Sequence, residues 1–386
     1  MSAHYRIPEG QSVVFDLARI VATVAVFLGH ATRPDMLSDV DVSLVGRATI
    51  PIFLMISGYM TAMTMSRGGK FMKKVLRRYL GLFFVVIPAI LILFAIDLWL
   101  IHQGSPLIEN FKFENEYSVL RFLREAFEAL TFSGEYWRLD TVSQGLFGNQ
   151  SFWTVEYIMA YVVITAAFYL LSGAMRVLTI VLCIAVAGPT VLLLSPLWLA
   201  GVIGFEIHRA CYNAWIIEHS DTPRPSPAWI RFIRKWAMVY AAIGLIVVVA
   251  IELSGVGNEV YQSSKDWASY EYRQHLGMAK RFAWQWLLVP GLFLMMLGSK
   301  YLIHWKPSDR MVARCREVSR HTLPVYIFHF SLIYFVHSLI PNYQPTWASM
   351  DPLILVVAAA ALTLLLSWLC YRYTKPVGDR LIARIL

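Results

Sequence analysis

The sequence predicts an all-α polytopic membrane protein, a helical bundle of about ten transmembrane helices. Hydrophobic residues make up 58% of the 386 residues and charged residues only 15%. Soluble domains carry about 45–50% apolar and about 25% charged residues. The apolar residues also fall into separate blocks of membrane-spanning length. These observations exclude an ordinary soluble enzyme, a disordered chain and a fibrous protein, and we expect a single integral-membrane domain over residues 1–386.

Ten apolar blocks define the predicted spans. They are 13–32, 50–65, 79–101, 152–171, 177–194, 197–211, 236–253, 283–303, 322–340 and 353–371. The first block contains Asp16 and Arg19 and is about twenty residues long, so it is a true span and not a cleaved signal peptide. The second block is short for a full crossing. Ser195 and Pro196 separate the fifth block from the sixth, because proline opposes a continuous helix.

Basic residues predict the orientation of these spans. With ten spans, the lysine- and arginine-rich segments 66–78, 212–235 and 304–320 lie on one side, together with the basic C-terminal tail. Such a bias marks the cytoplasmic side, so both termini are expected in the cytoplasm. The opposite segment 102–151 contains an amphipathic stretch. Its apolar residues at helical spacing are expected on the outer membrane surface: Leu120, Leu123, Phe127 and Leu130.

The remaining composition excludes two further classes of site. The net charge is +9, but no nucleic-acid-binding motif accompanies it, and no nucleic-acid partner is expected. The four cysteines show no CxxC spacing, and no metal site is expected.

Ionisable side chains are costly inside a membrane, so each one in a predicted span is a candidate functional group. The first span contains Asp16, Arg19 and His30. Asp16 and Arg19 are three residues apart and can pair on one helix face. Arg19 and His30 share a face and stand about 16 Å apart along it, with the imidazole towards the outer end. The structural alternative is that Arg19 is a paired structural charge and that His30 is an interface residue.

Two more sets of candidate residues lie in or beside the second and third spans. The second span contains Ser57-Gly58-Tyr59, where glycine permits close helix approach and serine bonds within the bundle, so packing is the favoured interpretation. The bases Lys74 and Arg77 precede the third span. They either hold the topology or bind an anionic phosphate ligand.

The fourth and ninth spans supply the last candidates. Trp153 and Glu156 open the fourth span. The carboxylate either stabilises a helix N-terminus or orients an imidazole or a sugar hydroxyl. His329 lies in the middle of the ninth span, where a lone histidine is more often a hydrogen-bonded packing residue than part of a site.

In this order, the motifs resemble those of the acyltransferase-3 family of bacterial integral-membrane O-acyltransferases, over essentially the whole chain. The matching stretches are FDLARIVATVAVFLGH with Arg19 and His30, FLMISGY with Ser57 to Tyr59, Lys74-Val75-Leu76-Arg77 followed by Tyr79, Trp153 to Glu156, and Tyr326 with His329. Lys74 departs from the family's arginine, and Leu80 stands where a proline is common. No soluble esterase-like domain follows the last span, so we expect the stand-alone form.

The resemblance implies transfer of an acyl group, acetyl or succinyl, from cytoplasmic acyl-CoA to a hydroxyl of a cell-envelope or exported glycan. The expected location is the bacterial inner membrane, and the expected partners are acyl-CoA, the glycan acceptor and the lipid bilayer. His30 would be the general base. The implied catalytic set is His30, Arg19, Glu156 and His329, and the implied substrate-binding set is Lys74, Arg77, Ser57, Gly58, Tyr59, Trp153 and Asp16.

Three alternatives remain open from the sequence. A transporter or flippase of a glycan or lipid-linked glycan also needs intramembrane charge, although no inverted repeat is visible. A non-catalytic membrane subunit of a polysaccharide synthesis complex is a third class. Within the enzyme hypothesis, acyl transfer is either direct or passes through a covalent intermediate on Ser57. The acyl group, the acceptor and the oligomeric state are not fixed by the residues.

Overall fold

The computed structural model describes residues 5, 7–32, 36–37, 48–103, 119–137, 149, 151–220, 223–257, 259–260, 263, 283–302, 306–339 and 352–385. All regular elements in these ranges are helices, which confirms the all-α class. They are α1 (Glu9–Ala31), α2 (Thr49–Met65), α3 (Phe71–His102), α4 (Val119–Thr131), α5 (Trp153–Leu170), α6 (Gly173–Leu192), α7 (Ser195–Glu218), α8 (Ala228–Lys235), α9 (Ala237–Ser254), α10 (Val289–Leu302), α11 (Asp309–Arg320), α12 (Thr322–Ser338) and α13 (Pro352–Ile385), with a 3-10 helix at Ala283–Leu288 before α10.

Each of the ten predicted apolar blocks overlaps a helix. By length and composition, 6 helices of the described chain suffice to cross a membrane, namely α1, α3, α5, α6, α9 and α13. Helix α2 and the segment Trp284–Ser299 are shorter apolar helices. The multi-pass membrane class is therefore confirmed, whereas the number ten and the sidedness stay predictions.

Helix α1 lies at the centre of the part of the bundle that carries the candidate residues. It packs against α2, α11 and α12, and α12 packs in turn against α3 and α13. Asp16 near the start of α1 bonds Ser319 of α11, and His30 near its end contacts His329 of α12. Helix α1 therefore runs in the same direction as the consecutive helices α11 and α12, and residues of equal depth face each other.

Helices α2 and α7 approach each other more closely than side chains would allow. A Cβ atom on Gly58 would lie 2.3 Å from the carbonyl oxygen of Trp198, and one on Gly201 would lie 1.9 Å from that of Met55. Both distances are far below van der Waals contact. Only glycine fits at either position, as in other close helix pairs of membrane proteins.

Helix α4 descends along α3 instead of lying flat on the outer surface, which corrects the sequence-based expectation. At one end, the Phe122 ring contacts Phe94 of α3, with centroids 4.4 Å apart. At the other end, Tyr79 of α3 donates a hydrogen bond to the Leu130 carbonyl at 2.6 Å, and Phe132 packs edge-on against Tyr79. Because about 22 Å of helix separates Tyr79 from Phe94, the segment re-enters the bundle towards the basic end of α3.

The amphipathic pattern of α4 still has a physical reason. Leu120, Leu123 and Phe127 are exposed, on the side of the helix that α3 does not cover. In a chain of this class, such side chains face lipid. The sequence thus predicted the apolar face correctly and the location of the helix wrongly.

The turn after α4 is fixed to a break in α6. Gly188 interrupts α6 with a φ of 77°, and Pro189 follows it. Proline has no N–H group, so the carbonyl of Ala185 four residues earlier loses its helical donor. The indole N–H of Trp137 donates to that carbonyl instead, and its backbone N–H donates to Ala187. Trp137 itself has a φ of 39°, a left-handed conformation that this docking maintains.

Candidate functional site

Two histidines from different helices meet near the C-terminal end of α1. The ring centroids of His30 and His329 are 5.3 Å apart, at an interplanar angle of 37°. Phe330 packs edge-on against His30 with centroids 5.0 Å apart. His329 is buried and His30 is half-buried, so a ligand reaches His30 first.

The tautomer of His329 follows from its hydrogen bond. Its Nδ1 lies 2.8 Å from the carbonyl oxygen of Tyr326. A carbonyl only accepts, so Nδ1 carries the proton and Nε2 of the neutral ring carries a lone pair. Nε2 is buried and has no hydrogen-bond partner in the described part of the chain. A buried acceptor without a partner is costly, and such atoms are concentrated where a ligand or a proton is handled.

Helix α5 supports this pair from the side. The side chain of Tyr326 hydrogen-bonds Thr154, which lies between Trp153 and Glu156 on the first turn of α5. Asn149, just before α5, donates to the carbonyl of Ile327 and accepts from the Ser151 N–H at 3.1 Å. The aromatic and acidic motif of α5 is thereby held beside the Tyr-x-x-His motif of α12.

Glu156 points towards the turn that follows α4. A Cβ atom on Gly134 would lie 2.7 Å from Oε1 of Glu156, so the carboxylate lies directly against the backbone of this turn. The neighbouring Glu135 is buried and accepts a hydrogen bond from Tyr157 at 3.1 Å. Trp153 is buried and packs on Tyr157, with centroids 5.1 Å apart. The described contacts place Glu156 at the re-entrant turn.

A pair of arginines lies towards the other end of α1. Arg78 of α3 is close enough to Arg19 for their positive charges to repel. Asp16 attracts Arg19 but forms no ion pair with it within 4 Å in the described chain, since the Ser319 hydroxyl donates to Asp16 at 2.9 Å. Neither guanidinium has an ion pair or side-chain hydrogen bond among the described residues. The Asp16–Arg19 interaction that the spacing permits is therefore an electrostatic attraction without a direct ion pair in the described chain.

The two bases of the Lys-x-x-Arg motif have different surroundings. Lys74 is half-buried, and its ammonium donates to the carbonyl of Thr64 at the end of α2, so it joins α2 to α3. Arg77 and the adjacent Arg78 are both exposed on α3. Whether either base binds a ligand stays a prediction.

The Ser-Gly-Tyr motif has a packing role in two of its three residues. Gly58 permits the close approach of α2 and α7, as described above. The Tyr59 hydroxyl is buried between the Tyr5 hydroxyl at 3.1 Å and Nδ1 of His208 at 3.0 Å. Ser57 is half-buried, and its assignment stays a prediction.

The structure thus brings together His30 with His329, and Arg19 with Arg78. The sequence argument missed Arg78, Thr154 and Asn149. Arg78 was visible as the last base of the basic run at 70–78, but helix periodicity alone does not say which base faces α1. Asn149 and Thr154 carry no recognisable motif, since each acts through a single contact with α12.

A polytopic helical bundle with paired imidazoles in its interior has the features of an integral-membrane enzyme. The family model described as an acyltransferase domain matches residues 13–372, nearly the whole chain. The chain therefore belongs to the acyltransferase-3 family and is a membrane-bound acyltransferase that acts on a hydroxyl-bearing acceptor. No curated protein and no solved structure matches it.

Proposed function

We propose that this acyltransferase moves an acetyl or succinyl group from cytoplasmic acyl-CoA to a hydroxyl of a cell-envelope or exported glycan. The proposed location is the bacterial inner membrane. The observation that carries the proposal is the arrangement along α1. Arg19 lies beside Arg78 without an ion pair in the described chain, and the His30–His329 pair lies about 16 Å further along the helix. This separation suits a long donor whose phosphates and thioester lie at opposite ends.

The histidine pair supplies the base. A hydroxyl is a weak nucleophile until a base takes its proton in the transition state, and such catalysis typically contributes about 10²–10⁴-fold. His30 is the accessible ring, and His329 holds a lone pair on Nε2 behind it. In the proposed step, the pair takes the hydroxyl proton as the oxygen attacks the thioester carbonyl. The C–O ester bond forms, the C–S bond breaks, and the proton leaves with the sulfur as the coenzyme thiol.

The arginine pair supplies the donor site. Two like charges next to each other are unfavourable unless an anion binds between them, and both guanidinium groups are at least partly accessible to such an anion. Arg19 and Arg78 meet this description in the described chain, and the planar guanidinium suits phosphate better than an ammonium does. We include Arg77 and Lys74 as the outer part of this site, with Arg78 as its principal base.

We place the glycan acceptor at the end of α1 opposite to the proposed donor site. In the proposal, a hydroxyl reaches His30 from the end of α1 beside the first turn of α5. Trp153 and Glu156 of that turn are buried, so they support this end of the bundle and do not line an open acceptor site. The transporter alternative requires substrate to cross the whole bundle. The packing of α1 against α2, α11 and α12 gives no separate support for that motion.

Purified protein incubated with labelled acetyl-CoA or succinyl-CoA and a candidate glycan tests the proposal. We expect label on the glycan and one equivalent of free thiol per ester formed. The same assay with Arg77→Gln and with Arg78→Gln identifies the base that sets the KM for the donor. Glycan that crosses a bilayer unmodified, with no thiol released, would support the transporter instead.

A further inference from the structure

Among the described residues, helix α8 contacts the bundle through one of its sides. Ile230 is buried beside Cys211 of α7. Arg234 forms an ion pair with Glu218 at 2.7 Å and donates to the Cys211 carbonyl at 2.9 Å. Hydrogen bonds from Ser226 and from Arg234 lower the pKa of Glu218 to about 2, which favours the ionised carboxylate that pairs with Arg234. The position of α8 is therefore fixed.

The opposite side of α8 combines exposed aromatic rings with exposed cations. Phe232 is 57% exposed and Trp236 is 39% exposed. Arg231 and Lys235 are also exposed and lie one helical turn apart. The Lys235 ammonium lies 5.4 Å from the centre of the Trp236 ring. Arg231 forms no ion pair or hydrogen bond with the described part of the protein.

This side is continuous with a lipid-facing helix. The Phe232 ring contacts Trp236 and, at 6.2 Å, Tyr240 of α9, so the aromatic row passes from α8 into α9. Exposed apolar residues, including Ile243 and Ile246, continue along α9. Among the helices able to span a membrane, α9 has the smallest buried share, 11% of its apolar window. The cations therefore lie where the apolar surface ends.

We propose that Arg231 and Lys235 bind the phosphate of an anionic phospholipid whose acyl chains lie along Phe232, Trp236 and α9. Aromatic rings at the boundary and basic residues above it are the combination that anchors a helix at a charged membrane surface. The charge complementarity favours an anionic lipid over a zwitterionic one. This site is separate from the histidine and arginine pairs and does not depend on the proposed reaction.

Native mass spectrometry of the full-length protein, titrated with dioleoyl-phosphatidylglycerol and with dioleoyl-phosphatidylcholine, tests the site. We expect wild type to prefer phosphatidylglycerol. Each lost cation is expected to weaken that binding about fivefold, so Arg231→Gln with Lys235→Gln should weaken it about 25-fold. Binding of phosphatidylcholine should change little.

Helix α11 offers a matched control. Arg310 and Arg314 have the same four-residue spacing and exposure, but no aromatic residue lies on that helix. Arg310→Gln with Arg314→Gln removes the same charge and should leave phosphatidylglycerol binding within about twofold, since a diffuse charge effect falls off within a Debye length. Equal weakening by both double variants, or none by the α8 variant, would overturn the proposal. Arg231→Gln alone replaces the double variant if the latter does not fold.

Discussion

Two imidazole rings carry the proposed chemistry, and their neighbours give them different properties. His329 is held in one tautomer by the Tyr326 carbonyl, with its second nitrogen unbonded within the described chain. His30 is the more accessible ring and packs on Phe330. Each ring can therefore be tested separately.

His30→Ala and His30→Gln are expected to lower kcat by about 10²–10⁴-fold, because neither side chain can accept and return the proton. The KM for acyl-CoA should change little. Steady-state kinetics on purified protein measure both constants. His219→Gln, at the exposed end of α7, is the control and should retain wild-type activity. Retention of most activity by His30→Gln would refute its role as base.

His329→Gln is also expected to lower kcat, and combining it with His30→Gln should add little further loss. Residues that act as one catalytic unit show such non-additive effects. Acidification that protonates the pair removes its lone pair and should slow transfer. If the two losses multiply fully in the double variant, the rings act independently and His329 is a packing residue.

Arg78→Gln is expected to raise the KM for acyl-CoA about tenfold or more, because a charge-assisted hydrogen bond to phosphate is lost. The kcat should stay near wild type. Arg77→Gln, one position earlier on α3 and not among the charges that act on Arg19, should have a smaller effect. A larger effect of Arg77→Gln would return the donor site to the Lys74–Arg77 motif that the sequence indicates.

At the scale of helices, the candidate residues are positioned by the close packing of α2 against α7 and by the hydrogen bonds that Trp137 makes to the broken helix α6. Gly58 and Gly201 bring α2 against α7, and Trp137 completes the hydrogen bonding of the broken helix α6. Helix α4 and its turn connect that break to α3 and to Glu156. The elements next to the site are thus fixed by contacts that no catalytic motif contains.

Gly201→Ala is expected to disrupt folding, because the new Cβ would lie 1.9 Å from the backbone carbonyl of Met55. Gly204→Ala on the same helix is the matched control. Its Cβ would meet side chains and no backbone: the end of Met296, a flexible side chain that can move, and at 3.7 Å the Phe293 ring. Fluorescence size-exclusion chromatography should show loss of the monodisperse peak for Gly201→Ala alone. Similar profiles for both variants would mean that α2 and α7 separate at little cost.

Trp137→Phe is expected to lower the free energy of unfolding by about 1–3 kcal/mol, because the Ala185 carbonyl loses its donor. A thermal melt in detergent measures the change. Trp229→Phe, on the exposed side of α8, should leave the melt unchanged. An unchanged melt for Trp137→Phe would show that the docking of this turn contributes little to stability.

For the whole molecule, the sequence was sufficient for the class and the order of the helices. Blocks of apolar residues identify membrane helices because lipid requires them, so α1 and α3 were predicted within a few residues at their apolar ends. The re-entrant course of α4 was not predictable, since an amphipathic helix has the same pattern on a membrane surface and beside another helix. Likewise, spacing placed Arg19 and His30 on one face but could not identify Arg78 or His329 as their partners.

The orientation of the molecule is testable independently of its chemistry. A cysteine at position 72 is expected to react only with reagents on the cytoplasmic side, and one at position 114 only with reagents outside, because the basic segments mark the inner side. Position 114 lies outside the described residues. Accessibility labelling in intact cells measures both sites. Labelling of position 72 from outside would invert the predicted topology.

The central claim is that acyl groups pass from a donor on one side of the membrane to a hydroxyl on the other through the histidine pair. Proteoliposomes with glycan sealed inside and labelled acyl-CoA outside test it most directly. In this arrangement, only protein molecules inserted with their basic side outward can react. The account predicts labelled glycan in the lumen with wild type and at least a hundredfold less with His30→Gln. Unlabelled glycan in the lumen, or equal labelling by both proteins, would contradict it.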